Sequence, residues 1–173
     1  STHMVSIKKL PPEVIQKIAA GEVVERPASI VKELVENALD AAATQVIVEI
    51  LHGGRERIQV SDNGCGMSRD DALLSVERHT TSKISASDDL FSLHTYGFRG
   101  EALASIAEVS LFSLETRSKE SVSGTCYAKT QERWVETEIS MPIGTRITVE
   151  HLFYNIPARQ KFLKTAFTEY THI

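Results

Sequence analysis

The stretch Ala28-Ser29-Ile30-Val31-Lys32-Glu33-Leu34-Val35-Glu36-Asn37-Ala38-Leu39-Asp40-Ala41-Ala42 decides the fold, because it reads as an amphipathic helix. Ile30, Val31, Leu34, Val35, Ala38, Leu39 and Ala42 recur at helical spacing and form one wide apolar stripe. Pro27 stands at the first helical position, where a missing N–H costs little. At about 100° per residue, Glu33, Asn37 and Asp40 fall in a wedge roughly 60° wide along one edge of that stripe. Lys32 and Glu36 lie further round, toward solvent. A carboxylate, an amide and a second carboxylate therefore project together from the margin of a core-facing helix. Taken alone, such a cluster is also what an ordinary solvated helix face presents.

Downstream, Gln45–Leu51 and Arg57–Asp62 read as two strands, and Gly53-Gly54 between them is a hairpin signal. By the two-residue period Ile58, Val60 and Asp62 share a face, so Asp62 ends its strand pointing where the apolar residues point. A buried carboxylate costs several kcal/mol unless a donor meets it, and a ligand amino group would be such a donor. Asn63-Gly64-Cys65-Gly66 follows as a tight turn. Ser68 with Asp71 makes a capping box opening a helix through about Glu77. Arg78-His79-Thr80-Thr81-Ser82-Lys83 is a polar, cationic break, in itself no more than a solvated loop. Ser87-Asp88-Asp89 caps a short helix around Leu90. Gly97-Phe98-Arg99-Gly100 then feeds a helix carrying Ala102, Leu103, Ile106 and Ala107. A glycine loop before a helix N-terminus offers free N–H groups suited to phosphate, although ordinary turns share the pattern.

The remainder is mostly strand. Val109–Thr116, Gly124–Lys129, Arg133–Ile139 and Thr145–His151 alternate as an antiparallel meander would. Thr145, Ile147 and Val149 share one face, which puts a hydroxyl on a core-facing surface; a hydroxyl satisfied by its own backbone would look the same. Upstream of the organising helix, Val14, Ile15 and Ile18 mark a short helix closed by Gly21. At the other end, Phe153–Pro157 turns into a basic helix, Ala158–Lys164, whose Arg159, Lys161 and Lys164 read as a solvated face in preference to a DNA contact.

The chain has 173 residues, 42% hydrophobic and 24% charged, enough for one domain with a real core. A net charge of −4 predicts no broad nucleic-acid face. The two cysteines, Cys65 and Cys126, are expected as free thiols. No apolar run is long enough to span a membrane, and the expected location is cytoplasmic, or nuclear in a eukaryote. Ser1–Met4 reads as a cloning remnant, leaving residues 5–173 as a single domain.

Four signals now stand in order: Glu33-x-x-x-Asn37, Asp62-x-Gly64-x-Gly66, Gly97-Phe98-Arg99-Gly100-Glu101 and Gly144-Thr145. Together they resemble the ATP-binding fold shared by DNA gyrase, Hsp90, histidine kinases and MutL. Longer runs narrow the resemblance to the MutL family of mismatch-repair proteins: Ile18–Pro27, Lys32–Asn37, Gly97–Leu103, Leu152–Asn155 and Pro157-Ala158-Arg159. The resemblance implies an α+β, Bergerat-type fold, with a mixed but mostly antiparallel sheet and helices on one face. It implies ATP and Mg2+ as cofactors. In it Glu33 is the general base and Asn37 the magnesium ligand, Asp62 accepts from the adenine amino group, and Gly64 and Gly66 let the turn approach the base. Thr81, Ser82 and Lys83 touch the nucleotide. Gly97, Phe98, Arg99, Gly100, Glu101, Ala102 and Leu103 form the phosphate lid, and Thr145 helps hold adenine. It further implies a longer protein that dimerises on ATP and works with DNA and a mismatch-recognition partner of the MutS type. A second domain would then supply a lysine, so the chain alone is expected to bind ATP but hydrolyse it poorly. A chaperone of the Hsp90 type and a phosphotransferase of the histidine-kinase type are the rivals.

Overall fold

The computed structural model describes residues 26–77, 98–131 and 133–161, with backbone alone for 98–101. The helices expected near Ile15 and Leu90 lie outside the described residues, as do Thr81, Ser82, Lys83 and Gly97. In chain order the elements are α1 (Pro27–Asp40), β1 (Val46–Leu51), β2 (Arg57–Asp62), α2 (Arg69–Val76), α3 (Phe98–Glu108), β3 (Leu111–Arg117), β4 (Gly124–Thr130), β5 (Arg133–Ile139) and β6 (Gly144–Glu150).

The strands make one six-stranded sheet in the order β1-β2-β6-β3-β4-β5. Every pairing among the described strands is antiparallel. The meander expected of the last four strands holds for β3-β4-β5 only. β6 leaves its sequence neighbour and inserts between β2 and β3. The burial pattern gives the reason. β6 is buried along most of its length, whereas β5 is exposed at nearly every position, so β6 suits the middle of the sheet and β5 its edge. The Gly53-Gly54 connection is longer than a two-residue turn. It is a short 3-10 segment, His52–Gly54, with His52 and both glycines at positive φ.

One face of the sheet carries Ile58 and Val60 of β2, Ile147 and Val149 of β6, Phe112 and Leu114 of β3 and Tyr127 of β4, all buried. The opposite face is polar, with Arg146 reaching Ser61 and Glu115. Helices cover the apolar face: α1 packs on β1 and β2, and α2 and α3 pack on each other and on β3. Burial of α1 is centred on Ile30, Leu34 and Ala38, a narrower stripe than the sequence implies. Leu39 lies about 140° from Leu34 round the helix and is 61% exposed. Ser68 caps α2 as expected, its hydroxyl accepting from the Asp71 N–H at 3.2 Å.

The far end of α3 is fastened by side chains from three places. Ser110 Oγ donates to the Ile106 carbonyl at 2.7 Å, Lys129 Nζ to the Ala107 carbonyl at 2.7 Å, and Asn155 Nδ2 to the Glu108 carbonyl at 2.8 Å. These are carbonyls that a helix end leaves without intrahelical partners. Lys129 is only 4% exposed, and its charge also faces Glu108 Oε2 at 3.6 Å. Lys129→Met removes a buried cation from this end and strands both acceptors. It should lower the unfolding free energy in urea by about 2–3 kcal/mol. A loss under about 0.5 kcal/mol, the range of an ordinary surface change, would show that the cap carries no weight.

Candidate functional site

Three strands run apolar, apolar, polar along the helix-covered face, and their polar ends line up. On β2 the series is Ile58, Val60, Asp62; on β6, read from its other end, Val149, Ile147, Thr145; on β3, Phe112, Leu114, Thr116. Asp62 pairs directly with Thr145, and Thr145 with Thr116. Opposed residues of antiparallel strands project to the same side, so a carboxylate and two hydroxyls form a row at one margin of the core. Thr116 and Thr145 are both buried. Their hydroxyl oxygens lie 2.8 Å apart, and Thr116 Oγ1 also donates to the Gly144 carbonyl at 3.0 Å and accepts from the Met67 N–H at 2.9 Å.

Asp62 is half-buried. Its Oδ1 accepts from the Gly64 N–H at 2.8 Å. Burial pushes its carboxyl above the ordinary carboxylate value, and the backbone N–H groups of Gly64 and Thr145 pull the other way. A carboxylate held where ionisation is disfavoured gains from any further donor.

The turn after Asp62 is fixed from several sides. Asn63 Oδ1 accepts from the N–H groups of Thr44 and Gln45 at 2.8 and 2.9 Å, and its Nδ2 donates to Thr44 Oγ1. The Cys65 N–H donates to the Ala41 carbonyl at 2.9 Å, at the C-terminal end of α1. A Cβ on Gly64 would meet the Ala41 carbonyl oxygen at 2.6 Å, and one on Gly66 would meet the Arg117 carbonyl oxygen at 1.9 Å. Both glycines are therefore required by the chain's own backbone, independently of any approach to a ligand.

Glu33 and Asn37 sit on α1 at the margin of the buried stripe, both partly buried, while Asp40 is exposed. The Asn37 Oδ1 atom is buried and receives no hydrogen bond from any described group. An unmet buried amide oxygen costs about 1–3 kcal/mol, and it is the hard donor type that magnesium takes. Asn37 therefore fits the metal that the sequence resemblance implies.

A family model described as histidine kinase-, DNA gyrase B-, and HSP90-like ATPase matches residues 25–152. The chain belongs to this ATPase family. Within the family it is similar to MutL proteins. It is 59% identical over 168 residues, 96% of this chain, to the DNA mismatch repair protein MutL of Citrifermentans bemidjiense, and 55% identical to that of Chlorobium chlorochromatii. It spans about a quarter of those relatives, 26% of each. Among solved structures, the Aquifex aeolicus MutL ATPase domain complexed with ADP superposes with a TM-score of 0.61 at 35% identity, covering 81% of this chain and 48% of that one. The N-terminal domain of a DNA repair protein superposes with a TM-score of 0.76 at 31% identity, covering 93% and 47%. The fold and the likeness to MutL read from the sequence are both borne out.

Of the residues singled out in the sequence, Glu33, Asn37, Asp62, Gly64, Gly66 and Thr145 fall in the region where α1, the turn and the β2-β6-β3 margin meet. Phe98, Arg99, Gly100 and Glu101 already belong to α3, so the helix begins earlier than a glycine loop through Gly100 implies. Gly100 is tolerable there because a first helical turn lacks intrahelical N–H partners in any case. Ala102 is half-buried and Leu103 buried in the same helix. Arg159 lies over the Phe153 ring at 6.0 Å, which agrees with a basic face packed on its own protein. No helix among the described residues is long and apolar enough to cross a membrane. Thr116 and Asn63 are the site residues that the motifs passed over. The series Phe112-x-Leu114-x-Thr116 held the signal for the first, and an asparagine opening a turn held it for the second.

Proposed function

We propose that this chain is the ATP-binding region of a MutL-type mismatch-repair protein, and that it reads adenine through Asp62 and holds Mg2+ through Asn37. The observation that carries the reading is the row Asp62–Thr145–Thr116 at the end of the core face, beside a helix bearing an unmet amide oxygen. Adenine offers an amino donor next to a ring acceptor, the complement of a carboxylate next to a hydroxyl. Guanine would set an acceptor against Asp62 and leave its carboxylate unpaired. The long identity to MutL over nearly the whole chain favours this over a chaperone or a phosphotransferase of the same family.

Glu33 stands one helical turn before Asn37, so its carboxylate is the proposed base that orients and deprotonates the attacking water. When bound, magnesium bridges and neutralises the phosphate oxygens. The start of α3, with Gly97, Phe98, Arg99, Gly100 and Glu101 leading into Ala102 and Leu103, is the proposed phosphate-wrapping segment; Thr81, Ser82 and Lys83 add contacts in this reading. In the longer protein we propose ATP-driven dimerisation as a switch, acting with DNA and a MutS-type partner in the cytoplasm. Further domains of that protein would complete the hydrolytic site.

Calorimetric titration with ATP and GTP, with and without Mg2+, tests the reading. ATP should bind in preference to GTP by about a hundredfold. Magnesium should strengthen ATP binding, and Asn37→Ala should erase most of that gain, about tenfold. Equal affinity for the two nucleotides would end the adenine assignment. A magnesium effect untouched by Asn37→Ala would end the metal assignment.

A further inference from the structure

Thr116 lies one strand further from α1 than the residues so far given roles, yet it is the most connected member of the polar row. Its hydroxyl is 1% exposed and meets three groups: the Met67 N–H, the Gly144 carbonyl and the Thr145 hydroxyl. A hydroxyl has one proton to give and two lone pairs with which to accept. The Met67 N–H is a donor only, so it fills one lone pair of Thr116. The single proton of Thr116 then has two acceptors, Thr145 Oγ1 at 2.8 Å and the Gly144 carbonyl at 3.0 Å. Whichever takes it decides whether Thr145 has its own proton available or must spend it on Thr116.

We propose that Thr116 is a positioning residue for base recognition: it donates to Thr145 and so turns the Thr145 O–H toward the purine ring nitrogen beside the amino group. The inference rests on the adenine reading above and deepens it. The row then presents an acceptor, Asp62, and a donor, Thr145, side by side, which matches the amino group and ring nitrogen of adenine directly or through one water. Without the Thr116 hydroxyl, nothing described on β3 would hold the Thr145 proton in that direction. Met67 would lose its acceptor as well, so the turn that carries Gly64 and Gly66 is tied to the same hydroxyl.

The test compares ATP with 1-deaza-ATP, which lacks that ring nitrogen, on the parent chain and on Thr116→Val, Thr116→Ser and Asp62→Asn. The parent should prefer ATP over the deaza analogue by about tenfold, one well-placed hydrogen bond. Thr116→Val should lose about tenfold in ATP affinity and bind both nucleotides alike, and Thr116→Ser should restore the affinity and the preference. A valine variant that keeps the parent's ATP affinity overturns the inference. So does one that binds ATP more weakly yet keeps the full preference, because that is what a purely structural threonine would give. If the valine variant does not fold, Thr116→Ala is read by the same two ratios. Asp62→Asn separates the levels: parent-like ATP affinity in that variant overturns the adenine reading itself, whereas a loss there beside an unaffected Thr116→Val overturns the role of Thr116 alone.

Discussion

Asp62→Asn should bind ATP about a hundredfold more weakly, close to 3 kcal/mol, and should nonetheless be more stable than its parent at neutral pH when no nucleotide is present. The two effects share one cause. Burial disfavours the charged form of Asp62 and outweighs the Gly64 and Thr145 N–H groups that favour it. The folded chain therefore binds the Asp62 proton more tightly than the unfolded chain, whose value is near 3.8. A state that holds a proton more tightly loses stability as pH rises through the interval between the two values, and the deficit persists above it. Asparagine keeps the Oδ1 acceptor for Gly64 but never ionises, so it escapes the deficit. Facing adenine it presents an amide N–H to an amino N–H, a donor against a donor. Urea unfolding of both chains in acid and at neutral pH, with ATP titration at neutral pH, measures the pair of effects. The stability gap should open between acid and neutral. A variant less stable than its parent at neutral pH would show that desolvation is not what governs this carboxylate.

Gly66→Ala should be the most destructive change in the turn. Gly66 has φ of +66°, a conformation that costs a residue with a side chain about 1–2 kcal/mol. The larger penalty is spatial. The added methyl carbon would sit 1.9 Å from the carbonyl oxygen of Arg117 and 2.6 Å from its carbonyl carbon. Both atoms belong to the backbone of β3, so no side-chain rotation relieves the overlap; the strand or the turn has to move. A total of about 4 kcal/mol or more follows, enough to lower the melting temperature by roughly 10 °C in a domain of this size. Because the same displacement pulls Met67 from Thr116 and shifts Asp62, ATP binding should vanish with it. A melting temperature within about 2 °C of the parent's would show that β3 and the turn are far less tightly fitted than their backbones suggest.

What could be read in the sequence was what local chemistry dictates. Pro27 and the spacing of Ile30, Leu34 and Ala38 place α1, Ser68 with Asp71 starts α2, and the alternation Ile58, Val60, Asp62 turns the carboxylate inward. Strand order was not legible in the same way. A two-residue period says which face a residue occupies and nothing about which strand lies alongside, so β6 was placed after β5 and not between β2 and β3. The width of the α1 stripe was overdrawn for a related reason. Leu39 is apolar, but no neighbour reaches that side of the helix, and patterning alone does not count neighbours. The glycines of the turn were flagged correctly, with ligand approach as the suggested cause; the contacts with Ala41 and Arg117 supply a cause inside the chain. Thr116 escaped because it belongs to no motif. Its importance comes from lying opposite Thr145, and that is a fact of register.

With Ser110, Lys129 and Asn155 gripping its last carbonyls, α3 behaves as a cantilever. Its eleven residues reach about 16 Å from that bolted root to its opening turn. Whatever a nucleotide's phosphates do at the tip, the root cannot slide to accommodate it. The push emerges as a bending moment on β4 and on the corner around Asn155, and those are the places where a distant part of the protein would feel the nucleotide come and go.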